Sequence, residues 1–243
     1  MQLNFGVLTI DGNAGPGISM DGGRLQFYGG AADSPGLIEN NNTGITMNNA
    51  ASATLWSAFR IHNNGSTGIS VGGSSSITFY STVDGNGHNA VTTIDGHSTA
   101  GLELNQSSSA QIYGPHVITK NGSANANPGS SCGISLAGAS LTIGNGTRVD
   151  RNVGPGIQLV AKSDLIMFNM SVSNNTEEGV VESNLSSGGF YNPLTFNGNG
   201  AGSLVCDDLS VAFGDAASIQ GVECKNLTKS AGQRPNVRIP KLH

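Results

Sequence analysis

Residues 133–152 (GISLAGASLTIGNGTRVDRN) decide the fold of this chain, because residues 156–175 (GIQLVAKSDLIMFNMSVSNN) repeat their pattern 23 residues later. Each unit contains three short runs in which apolar and polar residues alternate, as in half-buried strands. In the first unit these runs centre on Ile134 and Leu136, on Leu141 and Ile143, and on Val149. A fixed period of about 20 to 50 residues indicates a solenoid of stacked coils.

The period extends over most of the chain. The glycines that open successive units are Gly17, Gly44, Gly68, Gly101, Gly133, Gly156, Gly179 and Gly202. Gly is abundant, with 36 residues, and Gly and Asn are poor interior helix residues. The pattern therefore predicts an all-β chain: three parallel sheets around a triangular core, in about eight to nine coils of ~23 residues. We expect one domain over residues 1–228 and an extended, Pro-punctuated tail over residues 229–243.

Three recurring residue positions can be followed through the repeat. An inward aliphatic or aromatic position before the turn is predicted for Ile61, Val83, Ile118, Val149, Val172 and Phe196. The turn itself carries Asn64, Asn86, Asn121, Asn152 and Asn175, whose amides can bond the adjacent coils. Seven residues after the opening Gly come Ser75, Ser108, Ser140, Ser163 and Ser186.

Two coils are longer than the rest. The steps from Gly68 to Gly101 and from Gly101 to Gly133 are 33 and 32 residues. We place the additions at about 87–100 and 122–132, after the turn Asn, with a smaller one at about 31–43. Insertions in one phase of a repeat emerge on one face, so these segments are expected to form a wall along one side.

Charge and apolar content exclude two classes of partner. The net charge is -5 with a pI near 5.4 and no basic stripe, which argues against nucleic acid. No apolar run is long enough to cross a bilayer, so no membrane partner is expected. Low charge with many Ser, Thr and Asn residues is typical of extracellular or cell-surface solenoids, and this is the expected location although the chain shows no signal peptide.

The ends of the chain raise two further expectations. A Cys206–Cys224 bridge would staple the last coil and leave Cys132 as a free, buried residue. The sequence starts in mid-coil at Val7–Ile10 without a capping helix, which solenoids normally require. Either the chain is a fragment of a longer protein or the first coil is covered by a partner, including by self-association.

Units such as Val149-Asp150-Arg151-Asn152 followed by Gly156-Ile157 resemble the right-handed parallel β-helix repeat proteins of the pectate-lyase-like superfamily. The resemblance covers roughly residues 5–225. It implies the fold and leaves the activity open, because the superfamily includes polysaccharide lyases, glycoside hydrolases, pectin esterases, alginate epimerases, phage tailspikes and non-catalytic surface proteins. The calcium cluster of the pectate lyases is not recognisable here, so we expect no cofactor; Ca²⁺ remains an alternative without a recognisable site.

Candidate site residues fall into three groups. The outward column beside the inward aliphatics supplies charges that could hold a glycan or act as acid and base: Arg60, His62, Asp84, Lys120, Arg148, Asp150 and Arg151. The first inserted loop adds Asp95 and His97 to Asp84 and His88, at spacings that match no metal motif. Glu177, with Glu178, could partner Asp150 one coil away. For each group the alternative is ordinary solvated sheet or turn residues.

The leading hypothesis is an extracellular β-helix that binds a polysaccharide and cleaves it as a lyase or glycoside hydrolase. Catalysis is assigned to Asp84, Asp95, His97, Asp150 and Glu177, and substrate binding to Arg60, His62, His88, Lys120, Arg148 and Arg151. An esterase that acts on acylated sugars is a further alternative. The competing hypothesis is a non-catalytic surface adhesin or structural module.

Overall fold

The computed structural model describes residues 2–4, 8–56, 58–83, 87–123, 131–214, 222–224 and 227–229. These residues form a parallel β-solenoid in which each coil contributes strands to three columns, here called A, B and C in the order in which a full coil runs through them. No helix among the described residues is long and apolar enough to cross a membrane.

Column A begins each coil. It contains β2 (Thr9–Asp11), β5 (Gly36–Glu39), β8 (Phe59–His62), β13 (Thr93–Asp95), β16 (Val117–Thr119), β19 (Arg148–Asp150) and the second halves of β21 (Asp164–Ser173) and β23 (Ser187–Asn197).

Column B follows the Asn turn. It contains β3 (Pro16–Asp21), β6 (Thr43–Asn48), β9 (Ile69–Val71), β14 (Ala100–Asn105), β17 (Cys132–Ala137), β20 (Ile157–Val160), β22 (Val180–Glu182), β24 (Leu204–Cys206) and β26 (Val222–Glu223).

Column C completes the coil. It contains β1 (Gln2–Asn4), β4 (Arg24–Tyr28), β7 (Ser52–Trp56), β10 (Ser76–Tyr80), β15 (Ser109–Tyr113), β18 (Ser140–Gly144), the first halves of β21 and β23, β25 (Val211–Gly214) and β27 (Leu227–Lys229).

Two of the three predicted sheets are continuous with each other. Strands β21 and β23 run from column C around the corner into column A, so the two columns share one hydrogen-bonded sheet. The corner is made by a bulge between Phe168 and Met170, where Asn169 adopts a left-handed φ of 47°. An extra residue at a bulge bends a strand without ending it, which explains the continuity.

The inward positions that the sequence predicts for the column A strands are confirmed, with one exception. Ile38, Ile61, Ile94, Ile118, Val149 and Val172 are in register and at most 2% exposed. Val83, which was predicted at this position, is 66% exposed on an antiparallel hairpin formed by β11 (Thr82–Val83) and β12 (Asn89–Ala90). Ile94 fills the inward position of that coil instead, because the inserted hairpin precedes the column A strand.

The Asn column forms a continuous side-chain ladder at the turn between columns A and B. Its members are Asn13, Asn41, Asn64, His97, Asn121, Asn152, Asn175 and Asn199. Most Oδ1 atoms accept from the backbone N–H of the ladder residue one coil earlier, as Asn152 does from Asn121 at 3.0 Å. Asn86, predicted for this ladder, lies outside the described residues, and His97 holds the position of that coil.

The Ser column is a second buried ladder, at the turn between columns B and C. Ser75, Ser108, Ser163 and Ser186 are at most 1% exposed and Ser210 extends them. Ser140 was predicted in this series, but it is exposed and pairs with Ser109, while Ala139 takes the buried position. The prediction was one residue off because this coil has a shorter turn.

The two long insertions leave the solenoid at different corners. The first spans Ser81 to Thr92, between columns C and A, and includes the β11–β12 hairpin. The second lies between β16 and β17, between columns A and B. The expectation of a single wall formed by both insertions is therefore wrong.

The predicted disulfide is confirmed. Cys206 and Cys224 are bonded, and Cys132 is free and fully buried. The bridge joins the column B strand β24 to the residue that follows β26.

Candidate functional site

The outward face of column A carries a ladder of polar side chains. The last residues of its strands are in register: Asp11, Glu39, His62, Asp95, Thr119, Asp150, Ser173 and Asn197. Neighbouring members are one strand spacing apart, about 4.8 Å. The alternation of the pleat places them outward because the preceding Ile or Val points into the core.

Three of the predicted site residues meet on this ladder. The guanidinium of Arg60 holds the Asp95 carboxylate in a bidentate pair, with Nη2–Oδ2 at 3.1 Å and Nε–Oδ1 at 3.3 Å. On the same side, His62 Nδ1 lies 3.0 Å from Asp95 Oδ2. The hydrogen bond to Asp95 raises the pKa of Arg60, so the guanidinium stays charged. We call Arg60, His62 and Asp95 the column A cluster.

His62 Nδ1 faces two groups in the column A cluster: Asp95 Oδ2, which can only accept, at 3.0 Å, and Arg60 Nη2, which can only donate, at 3.4 Å. The shorter contact, to Asp95, favours the tautomer with the proton on Nδ1. In the neutral ring Nε2 then keeps its lone pair, and no hydrogen bond from the described residues uses it. The His62 side chain is 21% exposed and that of Asp95 11%. The arrangement is a carboxylate that orients an imidazole whose other nitrogen is able to take a proton.

Asp150 lies two ladder positions beyond Asp95, with Thr119 between them. Its Oδ2 accepts from Arg151 Nε at 3.0 Å. Its Oδ1 and the Thr119 Oγ1 are buried and have no hydrogen-bond partner among the described residues. Asp150 is thus near the column A cluster along the stack, at roughly 9.6 Å of strand spacing, and does not contact it.

His97 is not placed where a substrate could reach it. It is 1% exposed, and both ring nitrogens serve the Asn ladder: Nδ1 accepts from Asn64 N at 3.2 Å, and Nε2 donates to Ile61 O at 3.1 Å. Burial lowers the pKa of His97 to about 4, so the neutral ring is maintained. The imidazole reproduces the acceptor and donor of an Asn amide, which assigns His97 a structural role in place of the predicted catalytic one.

The other predicted residues are dispersed. Glu177 is exposed beyond the Asn turn, where its backbone N–H bonds Gly154 O at 3.3 Å and its side chain makes no bond to Asp150. Lys120 and Arg151 occupy left-handed turn positions at the edge of column A, with φ of 56° and 55°. His88 is exposed on the segment that joins β11 to β12, and Arg148 is exposed on β19. Asp84 lies outside the described residues.

A stack of aromatic side chains on column C was missed by the sequence analysis. The stack is formed by the last residues of four successive strands, which point outward: Tyr28, Trp56, Tyr80 and Tyr113. Neighbouring ring centroids are 6.3, 4.3 and 6.0 Å apart, with stacked planes. The signal was present in the sequence as an aromatic residue that ends four successive column C runs. The stack borders the corner that leads to column A. Trp56, the one Trp of the chain, lies four residues before Arg60 in the sequence.

The described residues contain no group of three or more His, Cys, Asp or Glu side chains that could hold a metal ion. The column A cluster itself offers an oriented imidazole, a fixed carboxylate and a guanidinium whose Nη1 makes no hydrogen bond to the described residues.

Comparison with known proteins gives one family match. A family model described as "Right handed beta helix region" matches residues 43–213. The search of curated proteins found no match. Among solved structures, the enzymatically active domain of bacteriophage CBA120 tailspike protein 2 is similar, with 15% identity and a TM-score of 0.48. The alignment covers 93% of this chain and 41% of that one, so the chain spans less than half of that structure's length.

Proposed function

Because the chain belongs to the right-handed β-helix family, as its repeat predicted, we propose that column A is a polysaccharide-binding face on which the column A cluster cleaves an acidic glycan. The observation that carries the proposal is the pairing of both Arg60 and His62 Nδ1 with Asp95, which leaves His62 Nε2 without a hydrogen bond to the described residues. The outward ladder carries one polar group per coil, although Asp95, Thr119 and Asp150 are at most 8% exposed, and its spacing suits an extended chain of repeating sugars.

The cluster favours elimination over hydrolysis. Hydrolysis of a glycoside needs two carboxyl groups that are free to act as acid and as base or nucleophile. Both oxygens of Asp95 are engaged, by Arg60 and by His62, and Asp150 does not contact the cluster. Elimination needs a single base and a cation that stabilises the negative charge developing on a uronate carboxyl group.

In the proposed reaction His62 Nε2 takes the proton on the carbon next to the uronate carboxylate. The electron pair of that C–H bond forms a carbon–carbon double bond as the adjacent glycosidic C–O bond breaks. The leaving oxygen takes a proton from water. Arg60 Nη1 pairs with the uronate carboxylate and stabilises its charge while the C–H bond breaks, and Asp95 stabilises the imidazolium that His62 becomes.

The expected extracellular location stays part of this proposal.

The ester-cleaving alternative has no comparable support, because no Ser or Thr hydroxyl is bonded to His62 among the described residues.

A panel of uronate-containing and neutral polysaccharides tests this function. We expect binding and release of unsaturated products, seen by ultraviolet absorbance, from uronate polymers only. New reducing ends without absorbance would replace elimination by hydrolysis. Binding without any product would support a non-catalytic surface module, and absence of both binding and products would overturn the carbohydrate assignment itself.

A further inference from the structure

A buried carboxyl group lies beside the disulfide at the C-terminal end of the core. Glu182 ends β22 and is in register with Leu159 and Cys206, at an inward position that is apolar in the preceding coils. Its side chain is fully buried, and Oε2 lies 3.6 Å from Cys206 Sγ, which is bonded to Cys224.

The packing around Glu182 leaves space for its carboxyl group and gives its Oε1 atom no hydrogen-bond partner among the described residues. A Cβ atom on Gly188 would lie only 1.8 Å from Oε1, so the facing strand β23 leaves its inward position empty where Glu182 sits. A buried carboxyl without partners is stable only in its neutral form. Burial raises the pKa of Glu182 to about 8, with a smaller contribution from the negative charge of Asp207.

A protonated carboxyl next to a disulfide sulfur has a specific chemical use. Cys206 is 9% exposed whereas Cys224 is half-buried, so an external thiolate reaches the Cys224 sulfur more readily. Attack there makes Cys206 the leaving group, inside an apolar core. Such a core disfavours a thiolate, as shown by Cys132, where burial raises the thiol pKa to about 12.

We propose that Glu182 is the proton donor for reduction of the Cys206–Cys224 disulfide, which makes this bridge a reducible latch on the last coil. A thiolate of a small dithiol bonds to Cys224 Sγ, the S–S bond breaks, and the electron pair on Cys206 Sγ takes the Glu182 proton. The second thiol of the reductant then displaces Cys224, which leaves two protein thiols and an oxidised, cyclic reductant. Water returns the proton to Glu182.

The charges around Glu182 come from few groups. Asp207, next to Cys206 in the chain, is half-buried and is the ionisable neighbour that acts on Glu182. Glu223 on β26 is in register with Val205, whose side chain alternates with that of Cys206, and it is exposed. The facing positions on β20 and β23 are Leu159 and Gly188, which carry no charge.

The test is the rate of disulfide reduction by dithiothreitol as a function of pH, followed by thiol labelling and mass spectrometry of the folded protein. Each rate is divided by the concentration of reductant thiolate. For the native chain we expect this rate constant to fall on the order of tenfold as pH rises through 8, because Glu182 loses its proton. Glu182→Gln should be slow at every pH and show no such fall, and Glu223→Gln should behave like the native chain.

A flat profile for the native chain, or an unchanged profile in Glu182→Gln, would overturn the proposal. If Glu182→Gln does not fold, the profile of the native chain decides alone. The outcome is independent of the polysaccharide proposal, which involves column A.

Discussion

The Nδ1 atom of His62 lies 3.0 Å from Oδ2 of Asp95, one strand further along the outward ladder of column A. This contact determines which nitrogen of His62 faces solvent with a lone pair. If that nitrogen is the base, His62→Gln should lower kcat for release of unsaturated product by about 10²–10⁴-fold, because Gln cannot take the proton. Product absorbance and circular dichroism of the same samples check rate and folding together.

The matched control is Glu103→Gln, on the outward side of column B. It changes a polar side chain on a different face and should leave kcat unchanged. Equal loss in both variants would assign the effect to general destabilisation and contradict the role of His62.

Arg60 is expected to act on substrate affinity as well as on rate. Arg60→Gln removes the guanidinium that both pairs with Asp95 and faces the uronate. We predict that KM for an acidic polysaccharide rises about tenfold or more, and that the salt dependence of binding weakens. Titration at several salt concentrations, with Arg24→Gln on column C as control, measures this. An unchanged KM and salt dependence would remove Arg60 from the binding site.

The Asn ladder predicts that His97 can be replaced by Asn with little loss of stability. Replacement by Asn supplies the same acceptor and donor that the other ladder members use, so His97→Asn should alter the free energy of unfolding by no more than about 1 kcal/mol. His97→Ala leaves the Asn64 N–H and the Ile61 C=O without their partners. We expect it to lower that free energy by about 2–4 kcal/mol in urea denaturation. Similar losses in both variants would contradict the ladder role.

Two buried histidines should make the protein acid-sensitive. Burial lowers the pKa of His97 and of His116 to about 4, below the unfolded value of 6.5. The unfolded chain therefore binds more protons between pH 6.5 and 4, and stability is lost as pH falls through this window. His97→Asn should reduce the loss between pH 6.5 and 4.5 by about 2–3 kcal/mol. An identical pH profile for the variant would show that His97 does not contribute.

The buried Glu182 should make the free energy of unfolding fall as pH rises, the opposite of the effect of the histidines. Its folded pKa of about 8 lies above the unfolded value of 4.5, so the folded chain keeps a proton that the unfolded chain has released. Stability should fall as pH rises from 4.5 to 8. Between pH 6.5 and 8 the histidines contribute equally to both proteins, so the native chain should lose about 2 kcal/mol relative to Glu182→Gln. Parallel denaturation curves for the two proteins across this window would contradict the buried, neutral carboxyl.

The repeat in the sequence was sufficient to predict the solenoid, the inward Ile positions and the Asn ladder. These features follow from local periodicity, which is present in every coil. The disulfide was expected for a different reason, because it would staple the last coil. Three of the errors share one cause: the coil between Gly68 and Gly101 was aligned before its insertion instead of after it. Val83, Asp84 and Asn86 were assigned to positions that Ile94, Asp95 and His97 occupy, each 11 residues later.

This phase shift also separated Asp95 from Arg60 and His62 in the sequence analysis, although the three side chains are in contact. A hairpin of two-residue strands has no periodicity that would reveal which side of the strand it occupies. The inward Glu182 had no sequence signal beyond a carboxyl at a position where earlier coils carry Leu or Val. Pairings of this kind depend on register between coils, which the period alone does not give.

The most direct measurement of the central claim is a crystal structure of the His62→Gln variant with a bound uronate oligosaccharide. We expect a sugar carboxylate on Arg60 Nη1 and the adjacent C–H bond directed at residue 62, with the sugar chain following the column A ladder. A sugar bound on column B or C, or along column A without contact to Arg60, would contradict it.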